Sequence, residues 1–252
     1  MGRWFALAVT CLLPSSVAAA TAGWYRVENY VGSIGADPIH FSIQTYADFG
    51  SGITAEGSYF SDAKQSPIAI YRRARGKTLE LCEIPDDKAL DRILWTGSKT
   101  PVDTAGCPFA LDLRDGGATG TWTRGATIYL VALEKVATLD DTGETKVNGT
   151  VAIPFWAQTP RSMFSGIYEN TKSGVCMRKL QIINKGDKTV EQELDFDKDG
   201  CAGTLMTAIY WNVEKRIENG ADVISINFQD GGAGHATDYV FNRATRKYSK
   251  RH

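Results

Sequence analysis

The chain has 252 residues, of which 23% are charged, and a formal net charge of -1. A balance this close to neutral gives no global attraction to nucleic acid or to acidic membranes, so no nucleic-acid partner is expected. The length suits two domains or one large β-domain and is enough to bury a sizeable core.

Residues 1–22 have the layout of a signal peptide. Arg3 supplies the charged start, Trp4 to Leu13 the apolar run, and Ala18-Ala19-Ala20-Thr21-Ala22 the small-residue cleavage region. Cleavage after Ala20 or Ala22 would remove Arg3 and move the formal charge to about -2. Cys11 as a lipid-anchored cysteine is a poor reading, because Ala8-Val9-Thr10 does not make a lipobox. No later stretch approaches the roughly 18 apolar residues that a membrane helix needs. The expectation is a soluble protein, secreted or periplasmic, without a membrane span.

Past the leader, apolar residues recur mostly at period two, the pattern of half-buried strands, and the breaks between runs are Gly, Asp and Asn pairs. Trp24, Tyr25 and Tyr30 precede the first clear strand, Ile39-His40-Phe41-Ser42-Ile43, in which His40 falls on the polar face. Tyr59-Phe60 follows Gly57. Residues 67–84 form a hairpin turning near Arg75-Gly76, with Ile68, Ile70, Leu79 and Leu81 aligned and Arg72, Arg73, Arg75 and Lys77 crowding its tip. The best helix candidate is 86–95, opening at Pro85-Asp86 and carrying Ala89, Leu90, Ile93 and Leu94.

A turn at Asp115-Gly116 pairs Phe109 with Trp122, Leu111 with Gly120 and Leu113 with Ala118. The polar stretch 138–150 divides an N-terminal β-module, 23–137, from a C-terminal one, 151–252. Asn148-Gly149-Thr150 is a glycosylation sequon where the host glycosylates. The second half opens with Phe155-Trp156. A turn at Asn219-Gly220 then sets Ile217 opposite Asp222, Val213 opposite Ile226 and Trp211 opposite Phe228. A helix over 208–218 competes with that hairpin. The fold expected is mainly β: antiparallel sandwich or barrel-like sheets in two modules, with one short helix.

Four cysteines remain behind the leader, Cys82, Cys107, Cys176 and Cys201, one equally spaced pair in each half. They read as two disulfides, each closing a loop of about 25 residues, although four cysteines permit three connectivities. Metal ligation is the weaker reading, since no C-x-x-C is present. The matched spacing and the recurrence of Asp115-Gly116-Gly117-Ala118 as Asp230-Gly231-Gly232-Ala233 suggest an internal duplication. The registers relative to the cysteines disagree, however, so two similar turns explain the tetrapeptides more simply.

Asp195-Phe196-Asp197-Lys198-Asp199-Gly200 looks like the opening of an EF-hand-type calcium loop, with Asp195, Asp197 and Asp199 as ligands. Its twelfth position is Met206 where a bidentate Glu is needed, and the plainer reading is a polar turn leaving an amphipathic strand. Calcium is the one cofactor the sequence suggests.

Catalytic groups are few, and no catalytic residue is assigned. His40 and His235 are the only histidines before the terminal His252, and no nucleophile motif accompanies them. Carboxylates such as Glu80 and Glu83, or Asp112 with a neighbour, are of the type that cleaves glycosides. The basic tip and the tail residues Arg243, Arg246, Lys247, Lys250 and Arg251 suit an anionic partner, or simply keep the chain soluble and its sheet edges protected. Aromatic rings on a concave face suit a sugar or peptide, though most fill cores. The function expected is an exported, non-catalytic binding or inhibitor-like protein acting on an envelope protein or glycan. A secreted hydrolase using acidic residues or His40/His235, and a calcium-stabilised structural module, are the alternatives.

Overall fold

The computed structural model describes residues 25–46, 55–73, 79–84, 86, 89, 106–140, 149–171, 174–196, 201–203, 208–230 and 233–251. Outside them lie the leader, the tip of the 67–84 hairpin, all of the 86–95 helix except Asp86 and Ala89, and the sequon asparagine. Asp197 to Gly200 and Met206 of the candidate calcium loop also lie outside. Asp86 Oδ1 accepts the Ala89 backbone N–H at 2.8 Å, a bond of helix-capping type.

The first module is a closed barrel of eight antiparallel strands in sequence order: β1 (Tyr25–Ile34), β2 (Asp37–Tyr46), β3 (Ala55–Ser61), β4 (Ile68–Arg73), β5 (Leu79–Glu83), β6 (Phe109–Arg114), β7 (Gly117–Arg124) and β8 (Thr127–Asp140). Closure comes from β1 pairing with β8, Ile34 against Val131 and Gly32 against Leu133. Alternation then sends one residue in two inward. Ile39, Phe41 and Ile43 of β2 meet Tyr59, Ile70, Leu81, Phe109 and Leu111 in a packed interior. The Phe109 ring stands edge-on to both Phe41 and Tyr59. Glycine permits the strand curvature: a Cβ on Gly120 would lie 2.0 Å from the carbonyl oxygen of Ala110, and one on Gly57 2.2 Å from that of Ser42.

The second module has β9 (Val151–Gln158), β10 (Ser162–Thr171), β11 (Gly174–Asn184), β12 (Val190–Asp195), β13 (Cys201–Ala202), a 3-10 turn (Ile209–Trp211), β14 (Val213–Glu218), β15 (Ala221–Asp230), β16 (Ala233–Asn242) and β17 (Lys247–Lys250). Strands β9 to β12 form one antiparallel meander and β14 to β17 another. Short β13 joins them by pairing with both β11 and β15. On the opposite side the Gln192 side chain imitates a strand: Nε2 donates to Tyr248 O and Oε1 accepts from Tyr248 N, both at 2.8 Å. The aromatic core bridges the meanders, with Phe164 against Tyr248 and Phe196 against Phe228.

The two registered hairpins form as the turn residues dictate. Phe109 faces Trp122, and Val213 faces Ile226, across turns at Asp115-Gly116 and at Asn219-Gly220, where φ is 51° and 76°. Trp211 departs from expectation. It closes the 3-10 turn, so Phe228 pairs with Ala202 instead, and the chain from Val213 is strand, not the continuation of a helix. Strand β8 runs to Asp140, which places residues 138–140 in the barrel. The two Gly-rich tetrapeptides belong to two hairpin connections, β6–β7 and β15–β16. Both disulfides form, Cys82–Cys107 and Cys176–Cys201. No helix among the described residues is long and apolar enough to cross a membrane.

The modules meet side to side. Two rows across the outer barrel wall, Leu139-Val27-Gln44-Glu56-Tyr71-Cys82 and Ala137-Asn29-Ser42-Ser58-Ala69, face the second module. Ser42, Gln44, Glu56 and Ser58 are all buried there. Buried polar groups need partners, and for Ser42, Gln44 and Ser58 the second module supplies them. The Ser42 hydroxyl lies 2.8 Å from the Tyr210 hydroxyl, and Gln44 Oε1 accepts the Ile209 N–H at 2.5 Å. Ser58 donates to the Pro154 carbonyl at 3.2 Å, and Asn29 to that of Ala152 at 3.1 Å.

Candidate functional site

Odd-numbered barrel strands all run toward one end, where β1 stops at Ile34, β3 at Ser61, β5 at Glu83 and β7 at Arg124. Among the described residues no further layer covers their last inward side chains, and the packed interior gives way there to a cup of about 580 Å³. Its wall carries Tyr59, Glu83, Trp122 and Tyr129. Trp122 and Tyr129 are cross-strand partners with ring centroids 5.7 Å apart.

Glu83 organises this end. Tyr59 donates its hydroxyl to Glu83 Oε1, and Trp122 Nε1 donates to the same oxygen at 3.0 Å. Burial raises the Tyr59 pKa, and the Glu83 charge and the hydrogen bond to it add to that rise, against opposing effects of Trp122 and Arg124. The phenol is therefore a firm neutral donor rather than an activated nucleophile. The neighbouring Cys82 points to the other side of β5, into the inter-module layer, while its partner Cys107 lines the cup. The bridge thus ties the start and end of the long β5–β6 connection to the rim, beside a backbone bond from Glu83 N to Gly106 O. Asp37, Lys64 and Arg124 complete the charged lining.

At the other end of the barrel Glu28 has a richer set of partners. Tyr30 donates to Oε2 at 2.7 Å, Lys135 reaches Oε1 at 3.1 Å and Arg26 at 2.7 Å. Burial alone would raise its pKa, but these three donors outweigh it and hold the carboxyl below its ordinary value. This end is occupied by its own ion pairs, which the cup lacks among the described residues.

The other residues singled out from sequence do not converge. His40 stacks on its cross-strand neighbour Phe60 with centroids 4.8 Å apart, and its Nε2 lies 3.0 Å from Asp62 Oδ1 on the exposed barrel wall. His235 stacks on Phe228 in the second module, centroids 5.3 Å apart. Glu80 and Glu83 point to opposite faces of β5, because three residues along a strand is an odd step, so they cannot act as a facing pair. Asp112 is exposed on β6. Asp195 closes β12; Asp197 and Asp199 lie outside the described residues.

The basic tail is absorbed by acids and carbonyls. Arg251 pairs with Asp238 and Glu218, Arg246 approaches Glu191, and Arg243 donates to the Gly220 carbonyl. Phe155 and Trp156 serve the core and the module interface.

Compared with known protein families, characterised proteins and solved structures, the chain matches none. The fold and the site define an eight-stranded up-and-down barrel with an acid-centred aromatic cup at one end, carried on the side of a second β-module.

Proposed function

We propose that the protein is an exported, non-catalytic binding protein that receives a small polar ligand, or one end of an envelope glycan or protein, in the mouth of its first barrel. The observation that carries this reading is the placement of Glu83. A carboxylate on the inner wall of an otherwise filled barrel is fixed by two neutral donors and lies among aromatic rings at an open cup. Small barrels of this strand number hold either side chains or one small ligand, and here the side chains stop short of the end. A fixed acceptor with flanking rings is suited to orienting a ligand.

Catalysis is the weaker alternative. Asp37 and Glu83 both line the cup, which gives hydrolysis two carboxylates to work with. Glu83, however, is immobilised by its donors, and Tyr59 is held neutral.

The test is a glycan and peptide array probed with the purified chain, followed by titration of any hit against Trp122→Ala. Binding lost in Trp122→Ala while both disulfides and the melting temperature are kept supports the reading. Hits that bind Trp122→Ala as well as the native chain would remove it. Turnover of a hit, abolished by Asp37→Asn or Glu83→Gln, would establish the hydrolase instead.

A further inference from the structure

Many charges in the second module are paired with one another. Arg178 pairs with Glu169 at 2.9 Å, Lys179 with Glu193 at 3.3 Å, Lys215 with Asp222 at 3.5 Å and Arg251 with Asp238 at 3.0 Å, while Arg161 pairs with Glu191. The cup differs. Asp37, Lys64, Glu83 and Arg124 line one cavity with two charges of each sign, and among the described residues none of the four makes an ion pair.

Opposite charges around a shared cavity attract, but Asp37, Lys64 and Arg124 are exposed, where pairing gains little over hydration. Glu83 is held: both its donors are neutral groups, Tyr59 and Trp122, and both fall on Oε1. The cup therefore keeps a fixed negative pole beside aromatic rings and, on the same lining, positive groups that do not neutralise it. An ammonium group matches the first, by ion pairing with the carboxylate and by attraction to the Trp122 and Tyr129 rings. An anionic group matches the second, with Arg124 offering a forked donor set and Lys64 a point charge.

We propose, building on the barrel-mouth reading above, that the ligand taken by the cup is a zwitterion, with its ammonium end at Glu83 beside Trp122 and Tyr129 and its anionic end at Arg124 and Lys64. A cavity of about 580 Å³ has room for a ligand of that kind with several heavy atoms between its charges. With the ends placed in this way, a neutral ligand would leave all four charged groups unmatched, a cation at Glu83 would leave Asp37, Lys64 and Arg124, and an anion at Arg124 and Lys64 would leave Asp37 and Glu83, whereas the zwitterion leaves Asp37 alone.

The experiment is calorimetric titration of the purified chain at low ionic strength with glycine, γ-aminobutyrate and ε-aminocaproate, zwitterions of increasing charge separation. Choline, acetate and glucose are the singly charged and neutral controls. At least one zwitterion is expected to bind about tenfold or more tightly than every control, since a hydrogen bond to a charged group is worth about a factor of ten or more. Glu83→Gln and Arg124→Gln should each remove that advantage, and Arg124→Lys should restore part of it. Unchanged disulfide content and melting temperature in the variants separate lost binding from lost fold.

Controls binding as tightly as the best zwitterion in a Trp122-dependent way would overturn the zwitterion while leaving the barrel mouth as the binding site. Absence of Trp122-dependent binding by every probe, together with an array on which no hit depends on Trp122, would overturn both.

Discussion

The indole of Trp156 donates its Nε1 hydrogen to the carbonyl of Gly57 at 2.8 Å, joining the second module to the third barrel strand through a fully buried bond. The same ring stacks on Tyr210, whose hydroxyl meets Ser42. One aromatic pair therefore satisfies two polar groups of the barrel wall, and the modules should unfold as a unit. Trp156→Phe keeps an aromatic ring but removes the bond to the Gly57 carbonyl, at a cost of about 0.5–1.5 kcal/mol. Urea denaturation followed by fluorescence and by circular dichroism should show a lower midpoint, and coincident transitions in the native chain. Separate transitions in the native chain would show that the interface does not couple the modules.

Alkali should weaken the protein before its disulfides are considered. Burial raises the Tyr210 pKa, and the neighbouring Glu56 charge adds to it although the Ser42 contact opposes; Tyr30 and Tyr59 are raised by burial and by Glu28 and Glu83 respectively. A raised folded pKa gives stability that is complete below the unfolded tyrosine value of about 10 and is lost as pH climbs from there toward the folded values. Each such tyrosine contributes a slope of up to about 1.4 kcal/mol per pH unit in that window. The urea midpoint should fall steeply above about pH 10, and Tyr210→Phe should flatten the fall. An unaltered slope in Tyr210→Phe would contradict the burial argument.

Acid acts at the opposite end of the barrel. The Glu28 carboxyl is held below its ordinary value, so its contribution is present above the unfolded carboxylate range, about 4.3, and is lost as pH drops through the lower folded value. Glu28→Gln should be less stable near neutrality and lose less on acidification than the native chain. Parallel stability curves for the two from about pH 7 to pH 2 would refute this.

Cys82–Cys107 and Cys176–Cys201 each span 25 residues of chain. The chain-entropy account assigns each on the order of 3 kcal/mol. Paired Cys-to-Ala replacement should therefore lower the melting temperature by similar amounts in the two cases. Only Cys82→Ala with Cys107→Ala should also weaken binding at the cup, because that bridge alone reaches its wall. Equal loss of binding in both paired variants would indicate general destabilisation instead.

Much of the strand pairing was legible from the chain, because turn chemistry and alternation are local. Asp115-Gly116 and Asn219-Gly220 fix their hairpins residue by residue. Closure of the barrel was not legible: Gly32 meets Leu133 across a hundred residues, and no local pattern announces that pairing. Without closure the ends of β1, β3, β5 and β7 have no reason to converge, so Glu83 looked like one more strand carboxylate. Ser42, Gln44 and Ser58 show the converse. Their alternation marks them as outward, and they are, but outward here means against Trp156, Ile209 and Tyr210. Trp211 followed the apolar alternation into the wrong element, since the chain tightens at Ile209 to bring Tyr210 to the barrel.

Among the described residues the lining of the cup comes from 34–129, whereas the second module leans on the flank of the barrel. Entry along the axis and attachment at the side are thus at right angles. A ligand of the kind proposed would arrive and depart with the two halves clamped throughout, so its uptake would need no hinge between them, and its kinetics should follow how the entrance is shaped and hydrated.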